Sequence, residues 1–176
     1  MAQKYTGLFA AIHWIHAAMI AAVLLGALLT LPVLPEIGGD LSPFKNHILM
    51  GVAVTVVTFI RLYLVRRQPE LEPLKVSPAR QALITWNHRL IYFFLILVGL
   101  SGMATAQLSN IGKVLFLGAD GSAYTGPGGL TETLGTIHMY GAWILGILIV
   151  MHVAGTISYI IKTGDNVLKR VGFGQG

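Results

Sequence analysis

The chain has 176 residues, of which 55% are hydrophobic and only 11% are charged, and its mean hydropathy is +0.72. Soluble domains carry about 25% charged residues, so these values indicate an integral membrane protein. The chain has no cysteine, which excludes disulfides, thiolate metal sites and iron–sulfur clusters held by it. The net charge of +5 does not indicate a nucleic-acid partner, because the basic residues flank apolar stretches and form no basic face.

Four apolar stretches are long enough to cross a bilayer, which takes about 20 residues. We predict spans at 8–31, 44–65, 82–106 and 134–161. The first is expected to be retained, because its apolar run is too long for a signal peptide. Proline and glycine residues follow the first and second spans, and a glycine-rich stretch at 118–129, either a short cap or a loop, separates the third from the fourth. The sequence thus predicts one domain over residues 1–176, an all-α integral membrane protein built as an antiparallel four-helix bundle.

Lysine and arginine are distributed unequally between the two ends of these spans. Ten of the twelve lie on the side of the termini and the middle loop, and only Lys45 and Lys113 lie on the other side. Basic residues are enriched in cytoplasmic loops, so we expect both termini in the cytoplasm.

Several glycines lie inside the predicted spans, among them Gly51, Gly99, Gly102, Gly141, Gly146 and Gly155. Small residues let membrane helices approach closely, which is the ordinary explanation for them. The alternative is that several of them leave room for a flat macrocycle.

Histidines are the most informative residues, because an ionisable side chain inside a span is by default a functional hypothesis. His138 and His152 lie fourteen residues apart on the fourth span. This spacing returns a helix to within about 40° of the same face over a rise of roughly 21 Å. One helix therefore offers an imidazole near each membrane surface.

The predicted orientation sorts the other histidines by depth. The outer half holds only His47 to pair with His138, whereas His152 in the cytoplasmic half has three potential partners, His13, His16 and His88. Among these three, His13 matches the depth of His152 best, since His88 lies shallower and His16 deeper.

Two imidazoles that face each other across a bundle suit a haem iron with both axial positions filled. Four histidines at matched depths on three helices therefore predict two bis-histidine haems. Hydrogen-bonded packing or proton relay remains the alternative for any single histidine. Zinc or copper fits less well, because zinc takes four ligands and the spans lack carboxylates to complete such a shell. An iron with no open position favours electron transfer over oxygen chemistry.

Three further side chains are candidates for supporting roles. Arg61 lies fourteen residues after His47, at the inner depth, where it would contact a haem propionate or else extend to the cytoplasmic surface. His88 and His16 are candidates for hydrogen bonding a quinone and delivering protons to it. The alternatives are a propionate hydrogen bond or helix-end contact for His88, and a propionate hydrogen bond or core packing for His16.

Several motifs, in this order, resemble bacterial-type cytochrome b561 over nearly the whole chain. They are IHWIHAA from Ile12, His47, RLYLVRR from Arg61, WNHRLIY from Trp86, the pair His138 and His152, and KTGDNVLKR from Lys162. The resemblance implies a multi-pass protein of the bacterial inner membrane with two haem b groups that exchanges electrons with quinone. It implies His13 and His152 as ligands of the inner haem, and His47 and His138 as ligands of the outer haem. The chain departs from the family at Ser158 and Tyr159, where adjacent histidines are frequent, so no role of that pair is transferred.

We therefore expect a membrane di-haem b cytochrome that carries electrons between a donor and the quinone pool. The donor implied by the resemblance is superoxide, although the outer loops carry a formal net charge of −2 that would not attract an anion. A redox protein is another donor. The alternative function is a membrane-anchor cytochrome subunit that relays electrons from a soluble dehydrogenase or hydrogenase to quinone, for which the short loops offer little docking surface. A metal or proton transporter without haem is a third class.

Overall fold

The computed structural model describes residues 4–30, 41–69 and 71–172 of the chain. These residues form five α-helices and no strand: α1 (Gly7–Thr30), α2 (Ser42–Val65), α3 (Pro78–Leu108), α4 (Ile111–Leu117) and α5 (Gly129–Thr163). All but α4 are long and apolar enough to cross a membrane. The predicted all-α fold with four spans is confirmed.

Consecutive long helices run in opposite directions, as side-chain contacts along them show. Between α1 and α2, His13 contacts Arg61 and His16 contacts Val54, so the residue number rises on one helix as it falls on the other. The same order holds between α2 and α3, where Thr55 lies against Gly99 and Arg61 against Tyr92. It also holds between α3 and α5, where Val98 lies against Gly141 and Asn87 against Leu148. The bundle is therefore antiparallel, and α3 packs most extensively against α5.

All four long helices begin before the apolar stretches that predicted them, and α3 and α5 do so by the most residues. The Ser77 hydroxyl accepts a hydrogen bond from the Arg80 amide, and Pro78 occupies the first turn, so α3 begins four residues earlier than expected. On α5 a polar first turn precedes the apolar stretch, and Gly164 ends the helix with a φ of 71°. Capping residues rather than hydropathy set the start of α3 and the end of α5.

The outer connection between α3 and α5 contains one helix that hydropathy did not predict. Asn110 adopts a φ of 58°, which turns the chain out of α3 and into the short helix α4. The glycine-rich stretch that follows is mostly loop, with a 3-10 turn at Gly121–Ala123, and the Thr125 amide donates to the Ser109 carbonyl at 3.1 Å. The predicted end of the first span at Leu31, and the proline–glycine break after it, lie outside the described residues.

The other end of the bundle gathers both terminal segments and the link between α2 and α3. The Tyr5 amide donates to the Arg170 carbonyl at 3.0 Å, and the Trp14 indole donates to the Val171 carbonyl at 2.9 Å. The Thr6 amide and hydroxyl both donate to Gln68 on the link. These segments therefore share one side, and assigning that side to the cytoplasm stays a prediction from the charges.

An apolar cluster fills the middle of the bundle. Ile20, Val54, Leu95 and Leu145 are its buried members, one from each long helix. Leu145 is seven residues from both His138 and His152, so the cluster lies midway between the two depths at which those histidines sit. The apolar centre thereby separates an outer from an inner polar layer.

The contact between Gly99 and Thr55 gives a test of α2–α3 packing. A Cβ on Gly99 would overlap the Thr55 hydroxyl, which donates to the Gly51 carbonyl at 2.8 Å. We expect Gly99→Ala to lower the free energy of unfolding by about 1–3 kcal/mol relative to Gly146→Ala, as overpacked cores do. Gly146 is also helical but has open space around it, so the gain in helix propensity is matched. Thermal unfolding in detergent measures the difference, and equal stabilities would contradict the packing described.

Candidate functional site

The outer polar layer contains one pair of facing histidines on different helices. The rings of His47 on α2 and His138 on α5 have centroids 5.9 Å apart and planes at 89°. Both side chains are half-buried, and the Nδ1 atom of His47 is buried with no hydrogen-bond partner. An unpaired buried nitrogen is costly, which marks this pair as more than packing.

The proton position on His138 follows from its contact with α3. Its Nδ1 lies 2.9 Å from the Val98 carbonyl oxygen, which can only accept, so Nδ1 donates and carries the ring proton. The other nitrogen, Nε2, then has a free lone pair. A carbonyl that fixes the ring in this way is the usual support of a metal-ligating histidine.

Gly102 gives His138 the space to reach α3. A Cβ at this position would lie 2.7 Å from the Cε1 and Nδ1 atoms of His138, too close for the ring to stay in place. The absence of a side chain on Gly102 is therefore a requirement of the outer pair. Gly99 and Gly102 both lie against side chains of neighbouring helices, which favours close helix packing as the explanation for these two glycines.

The inner layer holds the other four histidines in a less symmetrical arrangement. The rings of His88 and His152 have centroids 4.8 Å apart and planes at 89°. His88 is exposed and its Nδ1 donates to the Ile84 carbonyl at 2.7 Å, which leaves its Nε2 with a lone pair. His13 and His16 both contact Arg61, whereas His88 and His152 contact each other, so the layer contains two groups of histidines.

Arg61 is in direct contact with His13. Its Nη2 donates to the Nδ1 atom of His13 at 2.9 Å, and because an arginine offers only donors, the ring proton of His13 lies on Nε2. The guanidinium also lies over the rings of Phe9 and Tyr92, at 5.6 and 5.5 Å from their centroids, and its Nε is buried without a partner. Arg61 is thus directed into the bundle and not toward the surface.

His16 is completely buried and is enclosed by α2. Its Nε2 lies 3.2 Å from the Val54 carbonyl and 3.1 Å from the Thr58 hydroxyl, and its Nδ1 lies 3.5 Å from Nη1 of Arg61. Both ring nitrogens are therefore occupied by groups of the protein.

Sequence reasoning missed the residues that orient these histidines. Thr58 on α2 is buried against Nε2 of His16, while Asn87 on α3 is buried and joins α3 to α5 through a hydrogen bond from its amide to the Leu148 carbonyl. Their only sequence signal is a polar residue inside an apolar span. The Val98 carbonyl has no sequence signal, because every residue carries one.

The fold and these contacts define an antiparallel four-helix membrane bundle with histidines in two layers. The family model described as prokaryotic cytochrome b561 matches residues 4–174, and the chain belongs to that family. No curated protein and no solved structure matches the chain. Membership implies electron transfer in a membrane by b-type haem.

The residues present fit a haem. His138 has a free Nε2 on a ring that a carbonyl holds in place, and His47 faces it with a buried nitrogen that lacks a partner. Buried Arg61 has an unused donor at Nε, which suits the carboxylate of a propionate.

The fit of His138 against Gly102 can be tested directly. We expect Gly102→Ala to displace the His138 ring and to lower the haem-to-protein ratio of the purified protein. Gly155→Ala on α5 is the control, since its Cβ meets nothing within 4 Å. Haem is measured by absorption after extraction, and equal ratios in the two variants would contradict the role given to Gly102.

Proposed function

We propose that this protein is a di-haem b cytochrome of the bacterial inner membrane that transfers electrons between a donor and the quinone pool. His47 and His138 would hold the outer haem, and His13 and His152 the inner one. The observation that carries the proposal is the facing of His47 and His138, with the tautomer of His138 fixed for ligation through Nε2. When bound, each haem supplies a one-electron iron couple.

The protein's own residues would keep the two sites apart and dry. The apolar cluster of Ile20, Val54, Leu95 and Leu145 excludes water between the outer and inner layers. If two histidines hold each haem iron, the protein would leave no ligand site on the iron for oxygen or substrate. These features favour transfer of electrons over chemistry at the metal.

The inner site requires a change of proton position on His13. Ligation through Nε2 needs the ring proton on Nδ1, the atom that accepts from Arg61 in the structure. Nη2 of Arg61 would then be released, and together with Nε it would form one edge of the guanidinium. That edge can bind a carboxylate bidentately, which supports a propionate contact for Arg61.

A quinone would exchange electrons and protons near the inner layer. His88 is exposed, lies against His152, and has a free lone pair on Nε2, so it can exchange a proton with a quinone oxygen. His16 has no exposed surface and both of its nitrogens are occupied, so it is the weaker of the two candidates.

Ligand assignment is tested by haem stoichiometry in single and double variants. We expect His47→Ala and His138→Ala each to lose one haem, and the double variant to lose no more than that. His47→Ala combined with His152→Ala should lose both. For the inner site, His13→Ala should lose one haem, whereas His88→Ala should keep two although its ring contacts His152.

A purified protein without haem absorption would contradict the haem proposal. Loss of a haem in His88→Ala but not in His13→Ala would replace His13 by His88 as the partner of His152. Either pattern is read from the reduced-minus-oxidised spectrum and the haem-to-protein ratio.

The electron donor is tested separately. On the outer loops, hydrogen bonds from Ser122 hold the pKa of Asp120 below its ordinary value, so this carboxylate stays charged and repels anions. We therefore expect stopped-flow mixing with superoxide to reduce the haems more slowly at low ionic strength than at high ionic strength. The absence of any haem reduction would exclude superoxide and leave a redox protein as the donor.

A further inference from the structure

Arg61 is a buried cation whose partners within the described residues are neutral. Its hydrogen bonds go to the Nδ1 atoms of two imidazoles, His13 at 2.9 Å and His16 at 3.5 Å, and to no carboxylate. The long side chain could otherwise extend along the bundle toward Arg66 and Arg67 at the end of α2. Something must therefore hold the guanidinium at its depth.

The contacts of His16 fix where its proton lies. The Thr58 hydroxyl donates its one proton to the Val54 carbonyl at 2.8 Å. The Nε2 atom of His16 faces this hydroxyl oxygen and the same carbonyl, and both can only accept from it, so Nε2 carries the proton. The Nδ1 atom of His16 is consequently a lone pair, and it faces Arg61.

The two imidazoles differ in what ligation would do to them. As an iron ligand through Nε2, His13 would carry its proton on Nδ1 and could no longer accept from Arg61. His16 keeps its tautomer, since Val54 and Thr58 do not change. Nδ1 of His16 is then the acceptor that remains for Nη1 of Arg61, while Nη2 and Nε of Arg61 are left for a carboxylate.

We infer that His16 is a positioning residue that holds the Arg61 guanidinium beside the inner haem site, with its own tautomer set by Val54 and Thr58. The inference rests on the proposed function, in which His13 is a ligand. A fixed positive charge close to the site opposes the additional positive charge of oxidised iron. The contact therefore raises the midpoint potential of the inner haem and leaves the outer haem unaffected.

Redox titration of the full-length haem-loaded protein tests this inference. His16→Phe keeps a planar ring but removes the hydrogen bonds of both ring nitrogens, and we expect it to lower the midpoint potential of the inner haem only. The expected change is about tenfold in the equilibrium constant for reduction, which is about 59 mV for one electron. His16→Gln keeps a donor for Val54 and an acceptor for Arg61, so its potentials should match those of the wild type. An unchanged His16→Phe, or an equal shift in both variants, overturns the inference.

Thr58→Val provides a second variant that leaves His16 in place. It removes one acceptor from Nε2 and should lower the same potential by less than His16→Phe does. Thr105→Val is its matched control, because the Thr105 hydroxyl also donates to a carbonyl four residues back, on α3 and away from Arg61. If Thr58→Val has the same midpoint potentials as the wild type, as Thr105→Val should, the inference is overturned even where His16→Phe does not accumulate.

Nitrogen NMR of histidine-labelled protein separates this inference from the proposed function. In the haem-loaded protein we expect His16 to be protonated on Nε2 and His13 on Nδ1. A protein that takes up no haem defeats the proposed function, yet the tautomer of His16 still tests its contact with Arg61. A His16 protonated on Nδ1 overturns the inference in either state.

Discussion

The structure depends on one constraint, which is that a polar atom inside an apolar bundle is costly unless it has a hydrogen-bond partner, and His47 Nδ1 and Arg61 Nε are the exceptions at the two layers. Backbone carbonyls supply the partners of three histidines. Val98 and Val54 accept from His138 and His16 across a helix interface, and Ile84 accepts from His88 one turn earlier on the same helix. Each carbonyl only accepts, so each decides which nitrogen of its histidine keeps a lone pair. Helix packing therefore sets the chemistry of the imidazoles as well as their positions.

Close helix approach makes these contacts geometrically possible. Gly102 lets the ring of His138 lie against α3, and Gly99 accepts the Thr55 hydroxyl from α2. Where the helices meet without polar groups, the apolar cluster around Leu95 and Leu145 fills the space between the layers. The same bundle thus combines two polar layers with an apolar region between them.

The two layers differ in symmetry. The outer pair consists of two facing rings with one fixed tautomer, whereas the inner layer contains four histidines and a buried cation. Arg61 is the group that makes the inner layer different, because its donors occupy the Nδ1 lone pairs of His13 and His16. The exposed ring of His88 lies against His152 in the same layer.

By itself the sequence determined the class of the protein and the spacing of its histidines. Long uncharged stretches must lie in a bilayer as helices, since no other structure satisfies the backbone there, and short links make neighbours antiparallel. A fixed rise per residue then placed His47 and His138 at one depth and the remaining histidines at another. Ends of helices were less predictable, because Ser77 and Gly164 set them through capping rather than hydropathy.

Only the tertiary structure decided which ring nitrogen is free, which histidine lies against His152, and where Arg61 is directed. These outcomes depend on side-chain rotation and on backbone carbonyls from other helices, and neither leaves a pattern in the sequence. Depth along a helix follows from residue number, whereas the partner of a side chain follows from how the helices rotate against one another.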